Sequence, residues 1–235
     1  MFRLAAVLLI GLPLLFGCEQ REIHHAAPEN VDHIIYAVPD LETGMAEIET
    51  LLGVRPVIGG RHPQYGTHNA LLSLGPSTYL EIIAPAPDMS APERGYFFGA
   101  ASDVSRLAMW VLRTDDIETL SESAVAAGVP LGQIEAGRRE KPDGTAITWK
   151  ASDPYAMPLQ GAVPFLIEWG EDTLHPAQST PPAGELIGLS VEHPRPDDLR
   201  RAFDALGVEL QITQADAYRL VATVRTLSGA AVEID

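Results

Sequence analysis

Two glutamates and a histidine stand where neighbouring residues mark the interior of a strand. Glu81 lies in Tyr79-Leu80-Glu81-Ile82-Ile83, Glu168 in Phe165-Leu166-Ile167-Glu168-Trp169, and His33 in Asp32-His33-Ile34-Ile35-Tyr36. A carboxylate inside such a run is costly to bury unless a cation or several donors meet it. Strand alternation groups His33 with Ile35 and Ala37, Glu81 with Tyr79 and Ile83, and Glu168 with Leu166. Imidazole nitrogen and carboxylate oxygen suit a first-row divalent ion; an arginine such as Arg106 pairing with a glutamate is the metal-free alternative. A second cluster is Arg61, His62, Thr67, His68 and Asn69. Arg61 is the residue type that clamps a substrate carboxylate, and His62 the type that moves a proton near neutral pH. Thr67 and Asn69 share a face, His68 points the other way, and Asn69 entering Ala-Leu-Leu needs a partner. The competing reading is a polar, solvated hairpin end. Arg138-Arg139-Glu140-Lys141 runs into Pro142-Asp143-Gly144 as a solvated hairpin, with gating of an anionic ligand as the alternative. No phosphate-cradling glycine loop, GxSxG elbow or paired cysteine site is present.

The elements that must carry these residues recur in one order. Val31–Val38 reads as a strand, and Leu41, Met45, Ile48 and Leu52 fall at helical spacing before Gly53. Extended stretches follow around residues 55–60, 67–74 and 78–84, giving β-α-β-β-β. The order returns with a strand at 106–113, a helix at 116–127, and strands at 133–140, 146–151 and 163–169. A third, shorter copy occupies the tail: strand 186–192, helix 196–206, then strands at 209–213, 218–227 and 231–234. The Pro-rich stretch 179–184 separates it from the others, so the paired modules span 31–178 and the third spans 184–235. One such unit cannot bury both faces of its sheet, so two must combine. The predicted fold class is α+β: two βαβββ modules forming a curved eight-stranded sheet around a cavity, plus a degenerate third module.

The formal charge of −16, from 32 acidic and 16 basic residues, excludes nucleic acid and an anionic membrane surface as partners. A local cationic pocket inside this acidic shell stays open, and the expected partner, a small-molecule ligand, rests on the family resemblance given below. Residues 1–17 hold Arg3 and then an apolar run, Leu4–Phe16, too short to span a membrane comfortably. They lead to Cys18, the single cysteine, as a lipoprotein-type signal does. Residues 18–30 then form a tether in which His24 and His25 are solvated, and the expected location is periplasmic, with a lipid on Cys18 as the membrane anchor. One cysteine rules out an intramolecular disulfide or a thiolate zinc site.

The order and spacing of several motifs resemble the glyoxalase-like branch of the vicinal oxygen chelate superfamily. They are Asp32-His33, Val38-Pro39-Asp40-Leu41, Gly60-Arg61-His62-Pro63, Gly66-Thr67-His68-Asn69-Ala70, Tyr79-Leu80-Glu81, and Pro164–Trp169 with His175-Pro176 behind them. The resemblance covers residues 31–176 and implies a divalent metal (Zn, Mn, Fe, Ni or Co) held by His33, Glu81 and Glu168. It further implies chelation of a small oxygen-rich substrate, such as an α-hydroxycarbonyl, and proton abstraction by Glu168. His62 is the second catalytic candidate, with Arg61, Thr67 and Asn69 binding substrate. The strand 106–113 lacks the fourth ligand that relatives carry there, which keeps a metal-free binding protein of the resistance type as the alternative. His175-Pro176 is read as bracing the last strand and His193 as structural.

Overall fold

The computed structural model describes residues 27–99, 104–140 and 146–235. The signal segment, Cys18, His24 and His25, and the Pro142–Gly144 turn lie outside the described residues. The first unit comprises β1 (Val31–Ala37), α1 (Leu41–Leu52), β2 (Val57–His62), β3 (Thr67–Ser73) and β4 (Tyr79–Pro85). The second comprises β5 (Arg106–Arg113), α2 (Ile117–Ala126), β6 (Ile134–Glu140), β7 (Ala146–Ser152) and β8 (Phe165–Trp169). The third comprises β9 (Gly184–His193), α3 (Pro196–Leu206), β10 (Gln211–Gln214), β11 (Arg219–Thr226) and β12 (Ala231–Ile234). No helix among the described residues is long and apolar enough to cross a membrane.

An aspartate caps the start of α1 and of α2. Asp40 accepts a hydrogen bond from Thr43 N at 2.9 Å, and Asp116 accepts one from Thr119 N at 3.0 Å, each satisfying an amide that the first helical turn leaves open. Leu41, Met45, Ile48 and Leu52 bury one stripe of α1, and Gly53 ends it at φ 75°.

Eight strands form one curled sheet in the order β2-β3-β4-β1-β5-β8-β7-β6. Within each half the first strand lies parallel to the last, β1 on β4 and β5 on β8, and antiparallel pairing of β1 with β5 joins the halves. Alternation then divides the side chains. Ile34, Tyr36, Leu80, Ile82, Trp110 and Leu166 face the helices, in one core with Leu189, Phe203 and Leu220 of the third unit. Ile35, Ala37, Ile83, Met109, Val111 and Ile167 face the hollow side beneath Phe97 and Phe98. The alternation breaks once where it matters: β1 matches Val31 to Leu112 and His33 to Val111, so Asp32 is the extra residue of a β-bulge. A bulge turns its side chain away from the face that alternation would assign.

The third unit keeps the β-α-β-β-β order but pairs as β10-β9-β11-β12. In the first two units, the second edge of the opening strand is covered by the partner unit. In the third unit both neighbours of β9 come from its own unit, β10 in parallel and β11 antiparallel. The predicted linker is tied to the large sheet: Ser73 N donates to Pro181 O and Ala183 N to Ser73 O, both at 2.9 Å.

Candidate functional site

The hollow face of the sheet encloses a cavity of about 120 Å³. Its polar lining comes almost wholly from the first unit: His33 on β1, His62 at the end of β2, Asn69 on β3, and Tyr79 and Glu81 on β4. Phe97, Ile147, Trp149, Phe165 and Trp169 supply an apolar and aromatic wall. The inward positions of β5 and β8, Met109, Val111, Phe165 and Ile167, are all apolar.

His33 is 4% exposed and stacks on Tyr79, with ring centroids 4.4 Å apart and planes 19° apart. Its Nδ1 donates to Asp32 Oδ1 at 2.7 Å, because a carboxylate can only accept. Asp32 is fully buried, and its other oxygen accepts from Trp169 Nε1 at 2.8 Å and His175 Nε2 at 3.0 Å. His175 Nδ1 takes the Ala177 amide at 3.2 Å, which leaves Nε2 as the protonated nitrogen that donates to Asp32. Burial pushes the Asp32 carboxyl up, but the hydrogen bonds from His175 and His33 and the charges of both rings outweigh it. The group is held well below the usual carboxylate range. With Nδ1 engaged, Nε2 is the His33 atom left to gain or lose a proton, and it lies 3.5 Å from Glu81 Oε2.

Glu81 is held from the other side. Its Oε1 accepts from Asn69 Nδ2 at 2.6 Å, and Asn69 Oδ1 accepts from Gly60 N at 2.6 Å, which fixes the amide's orientation. His62 Nε2 lies 4.0 Å from the same Oε1, and its Nδ1 bonds the Thr67 hydroxyl at 3.0 Å. Burial lowers the His62 pKa from its ordinary value; the nearby Glu81 charge opposes this, and the Arg139 charge adds to it.

The structure thus brings His33, Glu81, His62 and Asn69 to one cavity, with Thr67 behind His62. It does not bring Glu168 there. Glu168 shares its face with Leu166, which packs on the helix side of β8, so its carboxylate accepts from Ile117 N at 2.9 Å and meets Lys150 Nζ at 3.1 Å. It serves the start of α2 and the surface, and the metal and base roles expected of it are corrected on that ground. Arg61 is corrected too: it is exposed, pairs with Asp88 and lies outside the cavity, since β2 turns it outward opposite His68. Arg106 bonds the Phe98 carbonyl at 3.3 Å rather than a cavity glutamate.

The metal centre fails on its donors. His33, Glu81 and Glu168 do not converge, and among the described residues the inward positions of β5 and β8 are apolar. Among the described residues no group of three or more His, Cys, Asp or Glu is arranged to hold an ion. Sequence reasoning passed over Asp32, whose signal was a carboxylate beside the histidine; Arg139, expected in a solvated hairpin with gating of an anionic ligand as the alternative, lines the cavity from β6. The Gly59-Gly60 pair was a third signal. A Cβ on Gly59 would lie 2.4 Å from Asn69 Oδ1, and one on Gly60 would lie 2.5 Å from a guanidinium nitrogen of Arg139.

Comparison with known proteins places this geometry. Residues 31–207 match the model of the glyoxalase-like domain family, and the chain belongs to that family. The match extends past the two paired units to the end of α3. A hypothetical protein from Staphylococcus aureus shares the fold at 14% identity and a TM-score of 0.60, over 87% of this chain and 98% of that one. Two methylmalonyl-CoA epimerases are more distant. A Streptomyces coelicolor variant in complex with 2-nitronate-propionyl-CoA has 16% identity and a TM-score of 0.38, over 59% of this chain and 96% of that one. The Mycobacterium tuberculosis enzyme has 13% identity and a TM-score of 0.37, over 63% and 92%. No curated protein matches the chain in sequence.

Proposed function

We propose that the cavity moves a proton on a small carbonyl compound, with His33 and Glu81 as the acid–base pair. The observation that carries this is the line Asp32–His33–Glu81: Nδ1 held at 2.7 Å by a buried carboxylate, and Nε2 facing a second carboxylate at 3.5 Å. One proton between His33 and Glu81 leaves one of them an acid and the other a base. A substrate C–H next to a carbonyl loses its proton to the base, and the acid protonates the oxygen on which charge develops. Asn69 fixes the position of Glu81, and Asp32 stabilises the imidazolium that forms on His33. The aromatic wall keeps water from the reacting carbon. No step is routed through a metal.

The test is solvent deuterium exchange, followed by proton NMR, over a panel of α-hydroxyketones and 2-oxo acids. The protein is expected to exchange the carbon-bound α-proton of at least one panel member, with a chelator making no difference. His33→Ala should slow that exchange by roughly 100-fold or more. Binding of panel members without exchange would sink the enzymatic reading and leave the second one, a binding protein without turnover. The second reading is favoured by the wholly apolar inward positions of β5 and β8.

We place the protein outside the cytoplasm, held to a membrane through a lipid on Cys18; the layout of residues 1–18 supports this. Labelling with an alkyne fatty acid should mark the parent and not Cys18→Ala, and equal labelling would overturn it.

A further inference from the structure

The cavity belongs to an acidic molecule and has Glu81 in its lining, so the charge of any ligand is decided by the cations it meets there. Arg139 is the permanently charged cation among the described residues of the lining. It reaches the cavity from β6, one edge strand of the large sheet, and lies over Gly60 on β2, the opposite edge. A Cβ on Gly60 would stand 2.5 Å from its guanidinium nitrogen and 2.9 Å from its Cδ, so the arginine passes only because that residue is glycine. The charge acts inward, lowering the pKa of His62 along with the larger effect of burial.

Arg139 also differs from the arginines that are spent on ion pairs. Arg55, Arg61, Arg94, Arg219 and Arg225 each pair with a carboxylate. Arg139 is half-buried, and among the described residues no carboxylate lies within ion-pair distance of it. A guanidinium aimed at a cavity with its fork of donors unspent is matched by a planar carboxylate, which it can bind through two parallel hydrogen bonds. The cavity volume, about 120 Å³, has room for a group about the size of one aromatic ring. The wall of Trp149, Phe165 and Trp169 suits such a ring by edge and face contact.

We infer that the cavity takes a carboxylate-bearing ligand with an apolar, ring-sized body, and that Arg139 selects the carboxylate. The inference rests on reading this cavity as the ligand site, and its test does not depend on turnover. Phenylacetate, 3-phenylpropanoate and 4-phenylbutanoate would be titrated calorimetrically against their primary amides, which have nearly the same shape and no charge. The protein is expected to bind at least one carboxylate about tenfold or more tighter than its amide. Arg139→Gln should abolish that preference, Arg139→Lys should restore part of it, and Arg61→Gln, outside the cavity, should leave it intact. Gly60→Ala displaces the guanidinium without removing it and should reduce the preference as well, which guards against a fold defect peculiar to Arg139→Gln. Equal binding of acids and amides, binding of neither, or a preference that survives in Arg139→Gln would overturn the inference. A carboxylate preference in a protein that exchanges no α-proton would leave Arg139 assigned and remove only the catalytic reading. Exchange without any charge preference would do the reverse.

Discussion

Asp32 accepts from His33, Trp169 and His175 while fully buried, so one side chain fixes the tautomer of the candidate base and ties β1 to the end of β8. Asp32→Asn replaces an acceptor by a group that must present N–H to at least one of those donors. It should cost about 3 kcal/mol of stability, measured by urea unfolding, and slow α-proton exchange in the folded fraction. Acid should weaken the fold in two stages. His62 has a pKa below its ordinary 6.5 in the folded chain, so the unfolded chain takes that proton first and stability falls as pH drops through about 6.5. Asp32 is held below its ordinary 3.8, so its stabilising contribution is intact above that value and is lost at lower pH. Urea midpoints between about pH 7.5 and about pH 5.5 should slope less in His62→Gln than in the parent; equal slopes would contradict the role given to burial of His62. At this scale the sequence was readable wherever alternation held. His33, Glu81, Thr67 and Asn69 sit on the faces that spacing assigned to them. Asp32 escaped because a bulge, which depends on the register with β5, overrides alternation.

The two edge strands owe their approach to glycine. Gly59 and Gly60 admit Asn69 and Arg139, and on β6 a Cβ at Gly137 would lie 2.1 Å from the Trp149 ring. Gly137→Ala should therefore push Trp149 out of the cavity wall, costing about 1–3 kcal/mol and shifting tryptophan emission. An unchanged emission spectrum would show that the ring does not rest on that glycine. Glu168 teaches the complementary lesson. Its pairing with Leu166 on one face was visible, but which face of β8 turns inward is settled by the parallel pairing with β5 and by Lys150 and α2 on the other side. A glutamate in an apolar strand marks a demand for partners, and here a helix start and a lysine meet it.

Across the molecule, the third unit completes the core of the other two. Trp110 on β5 meets Phe203 on α3 edge to face at 5.8 Å, and the Tyr218 hydroxyl donates to the Ala108 carbonyl at 3.1 Å. Phe203→Ala should destabilise the whole chain by about 3–5 kcal/mol in a single unfolding transition. Two separate transitions would show that the third unit folds on its own. The repeated element order made three units legible from spacing alone. The pairing within the third was not legible, because an order of elements does not say which edge a strand will take.

The most direct check of the site compares α-proton exchange by Glu81→Gln and Glu168→Gln on the same substrate. If His33 and Glu81 form the acid–base pair, Glu81→Gln loses exchange while Glu168→Gln, altered only beside Lys150 and the start of α2, keeps it. Loss of exchange in Glu168→Gln with activity retained in Glu81→Gln would contradict the placement of the chemistry in the first half of the sheet.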